Sequence, residues 1–255
     1  MNKSLLHVTH FRGKREQPLH NVFIHAPTLY WVEQGHKQLW WQEQSYEFNR
    51  ANWLVVPAGQ YLTFVNTPMQ NAFNARAVTF FQPPPAEWLN QEASSSGSAP
   101  MVKVNDALRY CFEIICDMSN KDLSAHTQQQ LLLAFYAELR HVGALHLLFP
   151  NDNQQVRDKL ATYLSAAPGD DHKIEVVAQH LAMSRATLTR KLAAEETSFR
   201  HILTEIRMSH ALGLLQRKFS QMDTALACGY QSEVRFTQRF KEQFGLTPRQ
   251  YQMTL

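Results

Sequence analysis

Apolar and aromatic residues in the first third of the chain come in short bursts, at 29–32, 39–41, 53–56, 61–65 and 77–81. Turn-forming residues separate them: Gln34-Gly35, Asn49-Arg50-Ala51-Asn52, Pro57-Ala58-Gly59 and Asn66-Thr67-Pro68. Evenly spaced bursts with such punctuation predict short strands over 22–81, in a small sandwich or barrel. The pattern then breaks. Pro83, Pro84 and Pro85 interrupt helix and sheet alike, and the Ser/Gly run at 93–99 reads as a linker. Beyond it the apolar period lengthens, and helices are predicted over 103–118 and 126–148. In the second, Leu131, Leu132, Phe135, Leu139 and Val142 recur at spacings of three and four. The polar run Pro150-Asn151-Asp152-Asn153 marks a domain boundary.

The last hundred residues carry a helical period throughout. An opening amphipathic helix is expected over 153–166, with Val156, Leu160 and Leu164 four apart. Ile174, Val177, Ala178 and Leu181 follow at i, i+3, i+4 and i+7. Ser184 can then cap a helix that turns Leu188 and Leu192 inward and Arg185, Thr189 and Arg190 outward. Two short helices joined by a tight turn, the second with a polar and basic outer face, form a helix-turn-helix pattern. A long helix is predicted over 199–216, with Phe199, Leu203, Ile206 and Leu214 inward. Then the pattern repeats. Ser220 and Asp223 have capping-box spacing, Gly229-Tyr230 makes the turn, and Ser232 caps a helix with Phe236, Phe240 and Phe244 on its buried face. Gly245 suits a left-handed cap, and Pro248 stands at the first position of a last helix. The long helix spans ~27 Å at ~1.5 Å per residue. With the offsets of its flanking units it can set two recognition helices one DNA turn apart, ~34 Å.

Charge sharpens this picture. The chain's net +3 is uneven: residues 1–152 carry 11 Lys and Arg against 12 Asp and Glu, and residues 153–255 carry 14 against 10. A basic C-terminal part points to a polyanionic partner. With 44% hydrophobic residues, five Trp, fifteen Phe and eight Tyr, the 255-residue chain is not a disordered one. Its three cysteines form no C-x-x-C pair, which excludes a disulfide framework and a thiolate zinc site. The N-terminus has only a two-Leu apolar patch before charges return, and no apolar run reaches membrane-spanning length. No signal peptide or membrane contact is therefore expected, and the expected location is cytoplasmic.

Residues 174–252 resemble the DNA-binding domain of the AraC/XylS family of bacterial transcription regulators. The resemblance is carried by Ala178 with Met183-Ser184, by Thr187-Leu188-Thr189-Arg190-Lys191-Leu192, and by Arg207-Met208 with Ala211 and Leu214-Leu215. It is strongest over ALACGYQSEVRFTQRFKEQFGLTPRQY, residues 225–251. The segment 26–35 with Lys37 is similar to a cupin-like effector domain of that family. The fold so implied is α+β: a cupin-like barrel with two helices, then an all-α domain with two helix-turn-helix units. The implied organisation is a sensor domain at 1–100, a helical dimerisation segment at 101–150 and a DNA-binding domain at 153–255.

The resemblance also implies roles. Ala186, Thr189 and Arg190 in the first unit, and Glu233, Val234 and Gln238 in the second, would face base edges. Arg190 suits guanine O6/N7, Gln238 adenine N6/N7, Glu233 cytosine N4 and Val234 a thymine methyl. Arg185, Lys191, Arg235, Arg239 and Lys241 would hold phosphates. Arg207 would make a structural salt bridge within the linker helix. The implied partners are promoter DNA, RNA polymerase and a second copy of the chain, with activation the family's expectation. The sequence departs from the family pattern at Glu196, where Gly is usual, at Thr224, where a buried Ile is usual, at Gly213 in the linker helix, and at Ala186, which is small for a base contact.

Catalysis is not expected of the N-terminal part. His20, His25 and His36 are scattered, without the paired spacing of a metal site, and Cys111, Cys116 and Cys228 lie on helices as small hydrophobes. Neither metal nor cofactor is expected. Tyr30, Trp31, Trp40, Trp41, Trp53, Tyr61 and Phe64 either line an effector pocket or fill the barrel. Tyr30, Trp40, Trp53 and Tyr61 are the candidate pocket residues for a small-molecule effector. The helix at 126–148 is apolar over more than one face, which suits pairing about a two-fold axis or full burial within the subunit. A competing function remains: a small-molecule-binding protein whose helical domain docks a protein rather than DNA.

Overall fold

The computed structural model describes residues 4–89, 99–150 and 155–255. Residues 93–98 of the Ser/Gly run and the boundary residues 151–153 fall outside them. Among the described residues nine strands are formed: β1 (Leu6–Gly13), β2 (Gln17–Ile24), β3 (Thr28–Gln34), β4 (His36–Trp41), β5 (Gln44–Phe48), β6 (Asn52–Val56), β7 (Gln60–Thr67), β8 (Phe73–Phe80) and β9 (Met101–Lys103). They make two antiparallel sheets, in the orders β1-β8-β3-β6-β9 and β2-β7-β4-β5. The five bursts read from the sequence are β3, β4, β6, β7 and β8. Strands β1, β2, β5 and β9 were not foreseen. Because β9 pairs with β6, Asn52 opposite Lys103, residues 101–103 belong to the barrel and not to the helical segment.

Strand parity sorts the aromatic residues. On β3, Tyr30 and Val32 point between the sheets while Leu29 and Trp31 point outward, and on β6 Leu54 and Val56 point in while Trp53 and Val55 point out. The outward residues are covered. A short α1 (Ala86–Leu89) is followed by α2 (Asp106–Asp117), α3 (Ala125–His141) and α4 (Leu145–Leu148), and the last three close over the five-stranded sheet. Trp53 packs on Phe112 with ring centroids 5.2 Å apart, and Phe80 stacks on Phe135 at 5.8 Å. Arg76 ties sheet to helix through Glu33 at 2.7 Å and Glu113 at 2.5 Å.

The single helix expected over 126–148 is two. The chain leaves helical geometry after His141, and Gly143 takes φ +68°, a conformation glycine adopts without a Cβ penalty. Leu132, Phe135, Tyr136, Leu139, Leu145 and Leu148 are all buried against the sheet, and Leu131, Leu133 and Leu147 are partly so. Of the second apolar face that the sequence suggests for pairing, Leu131, Leu133 and Leu147 are half-buried and Val142 is exposed.

The C-terminal part is all helix: α5 (Val156–Ser165), α6 (Ile174–His180), α7 (Arg185–Ala194), α8 (Phe199–Gln216), α9 (Gln221–Ala227), α10 (Glu233–Phe244) and α11 (Pro248–Gln252). Ser184, Ser198, Ser220, Ser232 and Thr247 each cap a helix by accepting from the backbone N–H three residues on. Gly245 ends α10 at φ +83°. Glu196 takes φ +55° where a glycine would be unstrained, as its departure from the family pattern anticipates.

Helix α8 is the spine. One side joins α5, α6 and α7 in a core with Leu160, Val177, Leu188, Leu192 and Ile206. Further along, Met208, Ala211 and Leu215 meet Phe236, Phe240 and Phe244 in a core continuous with the barrel interior. The helical part is therefore bound to the barrel. Ser209 Oγ donates to the Phe23 carbonyl at 3.2 Å, and Tyr61 Oη donates to Glu205 Oε1 at 2.5 Å. Gln216 and Arg12 exchange two hydrogen bonds, and Gln243 at the end of α10 donates to the Asn21 carbonyl at 2.7 Å.

Candidate nucleic-acid interface

The first unit is α6, a turn through Ala182 and Met183, and α7. Leu188 and Leu192 are fully buried, which fixes the rotation of α7 about its axis. Ala186, Thr189, Arg190 and Lys191 are then exposed together with Arg185. Among the described residues Arg190 and Lys191 have no hydrogen-bonding or ionic side-chain partner, so both are available to an incoming anion. Arg185 is held by Glu175 at 2.7 Å in an exposed pair, of the kind that contributes little stability and is easily exchanged.

The second unit is α9, a turn at Gly229 and α10. Gly229 is obligatory: its φ is +76°, and a Cβ there would meet the Arg207 guanidinium at 2.6 Å and the Gly169 carbonyl at 2.8 Å. Phe236, Phe240 and Phe244 are buried, as their four-residue spacing predicts. Glu233, Val234, Arg235, Gln238, Arg239 and Lys241 are exposed on the other side. Val234 is 78% exposed, an apolar side chain offered to solvent at the first turn of a recognition helix. The structure thus places all eleven sequence-derived contact residues on the outer faces of two helices in equivalent positions of two repeated units.

Arg207 is structural, but not through a salt bridge. Its Nε donates to the Pro168 carbonyl and its Nη2 to the Asp170 carbonyl, each at 3.0 Å, and its guanidinium lies 5.8 Å from the Tyr230 ring centre. It staples the α5–α6 connection to the turn of the second unit, and backbone oxygens take the place of the expected carboxylate. Thr224, in the core of that unit, is fully buried, and among the described residues its Oγ1 has no hydrogen-bond partner.

The four candidate pocket residues do not share a pocket. Tyr30 alone faces the barrel interior. Trp53 faces α2 and α3, while Trp40 and Tyr61 are 47% and 43% exposed, Tyr61 being engaged with Glu205. The interior instead holds a group not singled out as a site from the sequence. Lys37 is 3% exposed, its Nζ donates to Asn66 Oδ1 at 2.7 Å, and it sits 3.2 Å from the Phe64 ring centre. Burial without a carboxylate partner holds its pKa well below the usual lysine range. Asn66 in turn donates to Gln17, and Gln17 to Thr254 beyond α11. The detectable signal was parity, since Lys37 stands two residues before the inward Leu39. Glu205 on α8 is a second buried ionisable group, its carboxyl pKa raised chiefly by burial. Among the described residues no cluster of His, Cys, Asp and Glu could hold a metal, and no helix is long and apolar enough to cross a membrane.

Comparison with known proteins matches residues 177–254 to a family described as a helix-turn-helix domain. The transcriptional regulator GadX of Escherichia coli K12 is 35% identical over 124 residues, 48% of this chain and 44% of that protein. The regulator YdeO of the same strain is 29% identical over 141 residues, 54% of each. The chain spans about half the length of these curated relatives. The fold is similar to that of ToxT from Vibrio cholerae, with a TM-score of 0.65 at 15% identity and 99% of both chains covered. A further ToxT structure, bound to an unsaturated fatty acid, gives 0.61 at 14% identity over 100% of this chain and 97% of that one.

Proposed function

We propose that the protein is a sequence-specific DNA-binding transcription regulator that reads two successive major grooves, a reading supported by the match of residues 177–254 to a helix-turn-helix domain and by the resemblance of residues 174–252 to the AraC/XylS family. The observation that carries the reading is the repetition: two recognition helices, each rotated by buried apolar residues so that a polar and basic face is exposed, fixed on one 18-residue helix. In the first groove Arg190 takes guanine, with Thr189 and Ala186 beside it. In the second, Gln238 takes adenine, Val234 packs on a thymine methyl and Glu233 accepts from cytosine. Arg185, Lys191, Arg235, Arg239 and Lys241 set register on phosphates. Glu175 gives up Arg185 to the phosphate, an exchange favoured because the anion there is the DNA itself. RNA polymerase and a second copy of the chain are the further partners expected of such a regulator acting at a promoter.

The experiment is the salt dependence of duplex binding by the full chain. Neutralising 6–10 phosphates lowers affinity by ~10³–10⁵ between 50 and 200 mM salt. A shallow dependence would instead favour a helical domain that docks a protein.

A second part of the reading concerns the barrel. A lysine buried among Tyr30, Phe64 and Phe73 with one neutral hydrogen-bond acceptor would gain a charged partner from the carboxylate of a ligand. We propose that a long-chain fatty acid or a similar amphiphilic acid is the effector and that its carboxylate pairs with Lys37. Titration of intrinsic tryptophan fluorescence with oleate tests it, with Lys37→Met expected to abolish saturable binding. Saturable binding that survives the substitution would refute it.

A further inference from the structure

Gln238 and Arg239 stand side by side on the exposed face of α10, and both are held by one acceptor. Gln238 Nε2 donates to Glu242 Oε1 at 2.9 Å, and Arg239 Nη1 donates to Glu242 Oε2 at 2.8 Å. The two oxygens of a single carboxylate are thus divided between two side chains of the recognition face. Glu242 lies one turn further along, away from the helix end where Glu233 and Val234 project.

The consequence lies in the chemistry of the carboxamide. Gln238 has one acceptor oxygen and two N–H donors. Adenine presents an acceptor and a donor in the major groove, N7 and N6–H; guanine presents two acceptors, N7 and O6. A free glutamine serves adenine with its oxygen and one N–H, and it can also turn its NH₂ end so that both hydrogens face guanine. With one N–H committed to Glu242, what remains is one oxygen and one N–H, the pair that matches adenine. Turning toward guanine requires breaking a hydrogen bond to an ionised acceptor, the stronger kind. In the free protein this i, i+4 pair is exposed and contributes only a few tenths of a kcal/mol. Inside a groove from which water has been displaced, breaking it costs more. Arg239 completes the device by fixing the carboxylate from its other side.

We propose that Glu242 is a specificity-determining positioning residue: by holding one N–H of Gln238 it makes that side chain accept adenine and reject guanine. The proposal rests on the reading of Gln238 as a base contact.

The test is selection of bound sequences from a random duplex pool by the full chain, carried out for the unsubstituted protein and for Gln238→Ala, Glu242→Ala and Glu242→Gln. Gln238→Ala locates the position, by flattening one base preference that is adenine in the unsubstituted protein. At that position Glu242→Ala is expected to lower the adenine-to-guanine ratio about tenfold, the size of one good bidentate discrimination, with other positions unchanged. Glu242→Gln keeps an amide oxygen that accepts from Gln238 and is expected to retain most of the preference. If Gln238→Ala flattens the position and Glu242→Ala leaves its ratio unchanged, the proposal is overturned while Gln238 keeps its role. Loss of a cytosine preference elsewhere in Glu242→Ala also overturns it, since Glu242 would then be a base contact itself. If Gln238→Ala flattens nothing, the reading of Gln238 fails and the proposal falls with it.

Discussion

Thr224→Val should stabilise the protein. The hydroxyl sits in the core of the second helix-turn-helix unit, where the residue is 0% exposed and Oγ1 meets no donor or acceptor. A buried hydroxyl without a partner costs about 1–3 kcal/mol relative to its hydrated state. Valine has nearly the same shape, fills the same space and puts a methyl where the hydroxyl stood. Helix propensities of the two residues are close, so α9 itself is unaffected. The expected gain is therefore about 1–2 kcal/mol, which for a cooperative unit of this size corresponds to roughly 2–8 °C in Tm. The assay is thermal unfolding followed by helical circular dichroism, beside urea unfolding with an unchanged slope. Thr224→Ser is the control: it keeps the unpaired hydroxyl, loses the methyl, and should melt lower than the unsubstituted protein. A valine variant no more stable than the original, with the serine variant unharmed, would refute the reasoning, because it would mean that the hydroxyl is hydrogen-bonded or hydrated in solution.

Gly213 lies within α8, and a Cβ there meets nothing within 4 Å, so Gly213→Ala should add up to ~1 kcal/mol, seen as a raised denaturation midpoint without loss of DNA binding. His25 should make the fold acid-sensitive. Burial, with His7 and His210 nearby, lowers its pKa to about 4. The native state thus keeps it neutral, while the unfolded chain takes up a proton once the pH falls below ~6.5. Stability is complete above that value and lost progressively down to about pH 4, by roughly 2–3 kcal/mol, and His25→Gln should flatten the loss in a series of urea titrations. Lys191→Ala should weaken duplex binding by a similar factor for all sequences and reduce the slope of log affinity on log salt by ~1; a change of base preference instead would assign Lys191 to a base.

Much of the helical part is legible in the sequence because its signals are local. Ser184, Ser220, Ser232 and Thr247 stand at N-caps, Gly245 at a left-handed end and Pro248 at a first turn, and each does in the structure what its chemistry suggests. The barrel is less legible because its pairing is not local. Strand β1 pairs with β8 some seventy residues on, and β5 is an edge strand, QSYEF, with one partner and mostly exposed side chains. Neither has the apolar burst that marks a strand buried on both faces. The pocket candidates lie apart for a different reason. Aromatic character does not say which face of a sheet a residue occupies; parity does, and it separates Tyr30 from Trp53 and brings Lys37 inside. The partners of Arg207 are not legible in the sequence because backbone carbonyls in the α5–α6 connection leave no trace in residue identity.

The central claim is that two helices read two blocks of base pairs. Its most direct measurement is selection from a random duplex pool by the full chain beside Arg190→Ala and Gln238→Ala. The account predicts two enriched blocks about one helical turn, ~34 Å, apart, the first blurred only by Arg190→Ala and the second only by Gln238→Ala. A single block, or two blocks each indifferent to both substitutions, would contradict it.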